Sequence, residues 1–183
     1  RGALILGMGG SGISGVIASR MLAATSPVPI QANSDYSIPG WVGPDSLVIA
    51  CSYSGNTEET LIALKLAQAR GARIVAITSG GQLGELADQH GWPSVRFPGG
   101  QPPRSQFGYA FTCVFHVLHA AGLASDKQRA AFGRVGDHLA AGQENAISRG
   151  ESLSELLDGR KVLLYSDASQ EGLIIRWRQQ LNE

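Results

Sequence analysis

Three small hydroxyls crowd one turn of this chain, in Ser52-Tyr53-Ser54-Gly55-Asn56-Thr57-Glu58-Glu59-Thr60. The segment follows the apolar run Ser46 to Cys51 and opens a helical pattern. Backbone N–H groups at a helix start lack intrahelical acceptors and attract anions. Beside such amides, Ser52, Ser54 and Thr57 can envelop a phosphate without a lysine, and Gly55 would let backbone approach the ligand closely. Small polar residues are also ordinary helix caps. Taken alone, Asn56 or Thr57 reads as an N-cap, with Glu59 or Thr60 completing the capping. Three hydroxyls and a glycine directly after a buried strand favour binding, and capping is compatible with it. Glu58 and Glu59 suit the positive end of the helix dipole and face solvent.

A second loop, Gly7-Met8-Gly9-Gly10-Ser11-Gly12, matches G-x-G-x-x-G before a helix and raises a dinucleotide site. Asp35 would be its ribose-binding acid, but it stands 28 residues after Gly7 in a polar turn where an aspartate needs no special role. The hydroxyl loop also has no place in such a site. We therefore read Gly10, Ser11 and their amides as a second wall of the same phosphate pocket.

The remaining candidates are weaker by themselves. Arg104 follows Pro102 and Pro103, which restrict its loop, yet a lone loop arginine is ordinarily solvated or paired with a carboxylate. Glu183, closing an amphipathic helical pattern, reads as surface. His116 and His119 are three apart on a helix, but no further ligands are spaced to complete a metal site, so both read as packing histidines and no metal is expected. His90 and His138 receive no chemistry. Cys51 and Cys113 sit in apolar stretches outside any CxxC pair and read as buried thiols.

The elements that must position these residues alternate. Ala3 to Leu6, Val28 to Gln31, Ser46 to Cys51, Arg73 to Thr78 and Ser94 to Phe97 read as strands, separated by helices over Gly12 to Ala24, Thr57 to Gly71 and Leu83 to His90. Strands that are apolar throughout, rather than alternating, belong to a parallel sheet covered on both faces. The expected class is α/β, a doubly wound parallel five-stranded sheet. Ser105 to Ser152 then predicts two or three connected helices, with one apolar stripe on Phe107, Phe111, Val114, Val117 and Leu118 and another on Phe132, Val135 and Leu139. Lys161 to Tyr165 predicts a new buried strand, and Gln170 to Leu181 a helix, after a boundary near Asp158 to Arg160. The expected organisation is a first domain over 1–123, connecting helices over 124–158 and the start of a second domain over 159–183.

Composition narrows the function. A chain of 183 residues with 43% hydrophobic content can bury a substantial core, and its 15 basic residues balance 15 acidic ones. Net charge thus gives no reason to expect a nucleic-acid or membrane partner. The longest apolar runs fall far short of the roughly 20 residues that a spanning helix needs, so a soluble protein of a reducing compartment is expected. The chain opens at Arg1 directly before a strand and stops inside a helical pattern, which reads as an excerpt.

Taken together, GMGGSGISG after the first strand, SYSGNTEETL after the third, PPR before a long helix and RWRQQLNE at the end resemble the bifunctional phosphoglucose/phosphomannose isomerases of the sugar isomerase (SIS) fold, over essentially the whole chain. SYSGNTEET alone indicates SIS domains broadly, including aminosugar isomerases, transferases and sugar-phosphate-sensing regulators. The PPR and RWRQQLNE segments narrow it. The resemblance implies two SIS domains and an aldose–ketose isomerase of glucose 6-phosphate, extending to mannose 6-phosphate, that needs no cofactor. It assigns Ser11, Ser52, Ser54 and Thr57 to the phosphate, Arg104 to the intermediate, and Glu183 to proton transfer between C1 and C2. A ring-opening histidine is expected beyond Glu183. The implied partners are a small-molecule sugar phosphate and a second copy in a cytoplasmic homodimer, with no nucleic acid and no membrane.

Elementary chemistry agrees with those roles. Removing a proton beside a carbonyl leaves negative charge on an enediolate oxygen, and a fixed guanidinium there favours that state over the neutral substrate. One carboxylate can carry the proton between neighbouring carbons. A sensor that merely binds the sugar phosphate would need neither Arg104 nor Glu183.

Overall fold

The computed structural model describes residues 1–182; Glu183 lies outside the described residues. Strands and helices alternate as β1 (Gly2–Leu6), α1 (Gly9–Leu22), β2 (Ile30–Asn33), β3 (Ser46–Ser52), α2 (Glu58–Ala69), β4 (Arg73–Thr78), α3 (Gly81–His90) and β5 (Ser94–Arg96). The strands form one sheet in the order β2-β1-β3-β4-β5, and every pair is parallel. The five strands expected for this sheet each appear within two residues of their predicted limits.

The continuous apolar strands are explained by burial on both faces. Ala3 and Ile5 join Ile49, Cys51 and Ile77 in a core with Ala18 and Leu22 of α1. Leu4 and Leu6 point the other way and join Val48, Ala50 and Ala76 with Leu61 and Leu64 of α2 and Leu83 of α3. Period-two alternation therefore divides one apolar run between two cores. Each fully buried Leu or Ile contributes about 2 kcal/mol relative to exposure. The ends of β3 and β1 are held rigidly as a result, and with them the loops they carry.

A 3-10 turn over Pro103–Gln106 leads into α4 (Phe107–Ala120), followed by α5 (Asp126–Gly133) and α6 (Val135–Leu157). Of the first stripe Val114 and Leu118 are buried against the sheet, with Phe115 beside them, while Phe107, Phe111 and Val117 are partly buried. Of the second stripe only Phe132 packs, stacking on Phe115 with ring centroids 4.3 Å apart. Val135 and Leu139 are 43% and 65% exposed, so the expected stripe does not form a core here.

Lys161 to Tyr165 departs further from expectation. It forms no strand, and Leu163 and Tyr165 are 75% and 85% exposed. A strand requires neighbours for its N–H and C=O groups, and the sheet's five strands lie elsewhere. An apolar run alone cannot supply that pairing. α7 (Glu171–Leu181) follows and docks on α1, where an added Cβ on Gly172 would come within 2.7 Å of Ile17 Cγ1. Arg20 and Glu171 pair at 2.5 Å across the same junction, an exposed contact worth less than about 1 kcal/mol. Among the described residues no helix is long and apolar enough to cross a membrane.

Candidate functional site

From β1 the chain steps to β2 on one side and then to β3 on the other, so the loops after β1 and β3 diverge at their carboxyl ends. Open parallel sheets bind ligands at this switch point. A cleft of about 320 Å³ opens there. Gly10 and Ser11 line it from the first turn of α1, Ser54 and Thr57 from the loop before α2, and Arg104 and Gln106 from the 3-10 turn.

Neither capping candidate caps α2. Thr57 has the extended backbone of an N-cap (φ −68°, ψ 115°) but makes no side-chain capping bond. Its Oγ1 instead lies 2.8 Å from Ser52 Oγ. Asn56 Oδ1 accepts the Gln82 N–H at 3.0 Å and thereby holds the start of α3. The first N–H groups of α2 are thus left without a side-chain acceptor beside a hydroxyl-lined cleft, which suits an anion.

Ser52 stands beneath the cleft rather than on its lining. It is 2% exposed, and its Oγ accepts the Gly55 N–H at 3.1 Å. With Ser52 donating to Thr57, the Thr57 proton is free to point at a ligand. Gly55 also has a role other than the one expected. Its φ of +71° belongs to glycine, and an added Cβ would run into the carbonyl of Gly80. The close approach is to the loop after β4, not to a ligand.

The glycine loop is equally structural at its ends. A Cβ on Gly12 would sit 2.5 Å from the Gly7 carbonyl oxygen, so the pattern closes the turn from β1 into α1. Asp35 accepts the Tyr36 N–H at 2.6 Å and the Ser37 hydroxyl at 3.3 Å, holding its own turn.

Arg104 is joined to α7. Its carbonyl accepts Arg176 Nη2 at 2.8 Å, and the Arg176 guanidinium lies 5.0 Å from the Phe107 ring centroid. Among the described residues no carboxylate pairs with Arg104, which leaves its charge for the cleft. Glu183 follows α7 by two residues and lies outside the described residues.

The other titratable groups stand apart. Burial pushes the Cys51 thiol up to about 12, which makes it a packing group rather than a nucleophile. Cys113 is half-buried, less than expected, because it lies at the margin of the α4 stripe; both thiols are free. His119 Nε2 meets Asp126 Oδ1 at 3.0 Å, and His116 is exposed with its ring edge-on to Phe132. Among the described residues no group of three or more metal-ligating side chains assembles. A larger groove of about 870 Å³ is lined by residues 150–182 alone, including Leu157, Leu163 and Trp177, and receives none of the loops after the strands.

The SIS domain family matches residues 1–90, the span that carries both loops. The chain belongs to the SIS family. This SIS chain is 37% identical over 190 residues to the bifunctional phosphoglucose/phosphomannose isomerase of Thermoplasma acidophilum, covering 98% of the chain and 54% of that relative. It is 40% identical over 114 residues to the D-glucosamine-6-phosphate 4-epimerase of Sulfolobus acidocaldarius, covering 62% of the chain and 36% of that relative. The SIS fold also matches the C-terminal domain of glucosamine-fructose-6-phosphate aminotransferase from Francisella tularensis, with a TM-score of 0.70 and 17% identity, over 100% of this chain and 55% of that one. The chain therefore spans about half the length of the Thermoplasma relative and less of the Sulfolobus one.

Two residues of the SIS cleft escape sequence reasoning. Tyr53 donates its hydroxyl to the Gln101 carbonyl at 2.8 Å and accepts the Gln101 N–H at 2.9 Å, fastening the segment before Arg104 to the hydroxyl loop. An aromatic amid small hydroxyls was its signal. Gln106, 5% exposed, lines the cleft at the start of α4. Its signal was one amide directly before an apolar stripe.

Proposed function

We propose that the chain is part of an aldose–ketose isomerase interconverting glucose 6-phosphate, and mannose 6-phosphate, with fructose 6-phosphate through a cis-enediol. The observation that carries the reading is one cleft in which uncapped α2 amides, Ser11, Ser54 and Thr57 stand together with Arg104, which pairs with no carboxylate among the described residues. The first group suits a phosphate and the second a developing oxyanion. Similarity to the Thermoplasma isomerase supports the choice of hexose phosphates.

Ser11, Ser54, Thr57 and the Gly10 amide bind the phosphate, and Ser52 acts through Thr57. In the open-chain aldose, Glu183 takes the C2 proton; the C–H electron pair forms the C1–C2 double bond and the carbonyl electrons move to O1. Arg104 stabilises that oxygen. Glu183 then delivers the proton to C1 as the proton of O2 passes to O1, which becomes a hydroxyl, and O2 becomes the ketose carbonyl. Ring opening falls to a histidine beyond residue 183. We assign residues 1–123 to a first SIS domain, 124–158 to connecting helices and 159–183 to the start of a second, in a cytoplasmic homodimer.

The test is turnover of both aldose phosphates to fructose 6-phosphate by the full-length protein and by Glu183→Gln. The reading requires turnover in the parent that collapses in the variant while ligand binding persists. Identity to the Sulfolobus epimerase favours a second reading, inversion at C4 of an aminosugar phosphate. It would appear as a C4 epimer with no ketose formed. Binding without any turnover would point to a sensor.

A further inference from the structure

We propose that Gln106 accepts a hydrogen bond from a hydroxyl of the sugar, so that it reads the carbohydrate portion of the ligand and not the phosphate. The inference rests on the phosphosugar reading above and adds a binding residue to it.

The amide's orientation is fixed by its neighbours. Ser105 donates its hydroxyl proton to the Pro102 carbonyl at 2.8 Å, so its oxygen can only accept. Gln106 Nε2 donates to that oxygen at 3.0 Å. Exchanging the amide nitrogen and oxygen would set two acceptors against each other, so Oε1 is the atom left over. It is buried and has no partner among the described residues.

An unpartnered buried acceptor is costly and uncommon in native proteins. Here it belongs to a residue that lines the cleft, two residues from Arg104 on the same 3-10 turn. Only a donor can satisfy it. A phosphate monoester near neutral pH has lost most of its protons and offers acceptors, its second pKa being about 6. The hydroxyls of a sugar are donors. One turn thus provides a cation for a developing oxyanion and an acceptor for a neutral hydroxyl, while the phosphate groups come from the loops of α1 and α2.

The experiment is calorimetric titration of the full-length protein, Gln106→Leu and Gln106→Met with glucose 6-phosphate and, separately, with inorganic phosphate. The Met variant keeps the side chain's length and serves if Leu disturbs packing. We expect either variant to bind glucose 6-phosphate about three- to tenfold more weakly, the worth of one neutral hydrogen bond. Inorganic phosphate should be unaffected, and the thermal midpoint without ligand should hold or rise. Unchanged glucose 6-phosphate affinity, or an equal loss for both ligands, overturns the role of Gln106 while leaving the phosphosugar reading intact. A parent protein that binds inorganic phosphate but not glucose 6-phosphate overturns that reading and this inference with it.

Discussion

Thr57 Oγ1 and Ser52 Oγ lie 2.8 Å apart at the start of α2, so the hydroxyl in the capping position bonds sideways to the preceding strand rather than forward to its own helix. Capping and binding therefore separate experimentally. Thr57→Val loses no capping bond, but it leaves the buried Ser52 hydroxyl without its partner and should cost about 1–3 kcal/mol of stability. It should weaken phosphate-ligand binding about tenfold or more, as expected for one hydrogen bond to a charged group. Denaturant unfolding and ligand titration of the same variant check both halves.

Arg176 ties α7 to the turn that carries Arg104. Arg176→Met should keep the fold and the affinity for inorganic phosphate but lower kcat by about 10- to 100-fold, because small misplacement of a catalytic group costs that much. Arg176→Lys should recover part of the loss. Steady-state kinetics on the full-length protein, with kcat and KM separated, provide the check.

The α1–α7 junction depends on Gly172 more than on its ion pair. Gly172→Val places atoms where Ile17 already stands and should destabilise by about 1–3 kcal/mol. Arg20→Ala, removing an exposed pair, should cost less than about 1 kcal/mol. Thermal or denaturant unfolding of the two variants ranks them.

Cys51 gives the fold an alkaline limit. Its pKa rises from 9.0 to about 12 on folding, through burial. Below pH 9 both folded and unfolded states hold the proton and nothing is lost. Between 9 and 12 the unfolded state releases it while the folded state does not, so stability falls by about 1.4 kcal/mol per pH unit from this group. Cys51→Ala should flatten that slope in unfolding curves measured between pH 9 and 10.5. At pH 8 the native Cys51 should resist thiol labelling until the protein unfolds.

The parts of this molecule visible in the sequence are those governed locally. Ser46 to Cys51 is apolar because both faces are buried, and the glycine loop and the hydroxyl loop could both be located as the ends of such runs. What escaped depends on distant partners. Asn56 serves Gln82, 26 residues on, and Arg176 reaches Arg104 across 72. Gly55 yields to Gly80, a neighbour that only the packing of two loops creates. Composition could not decide whether Thr57 caps or binds, since the same hydroxyl serves both. Lys161 to Tyr165 has a strand's residues but no described strand beside it, and pattern alone cannot report that.

The central claim is proton transfer between C1 and C2 of a phosphosugar held at the sheet's switch point. Incubating the full-length protein with fructose 6-phosphate in D2O and following products by NMR tests it most directly. The account predicts glucose 6-phosphate and mannose 6-phosphate carrying solvent deuterium at C2, with turnover abolished in Glu183→Gln. Bound but unconverted fructose 6-phosphate would contradict it.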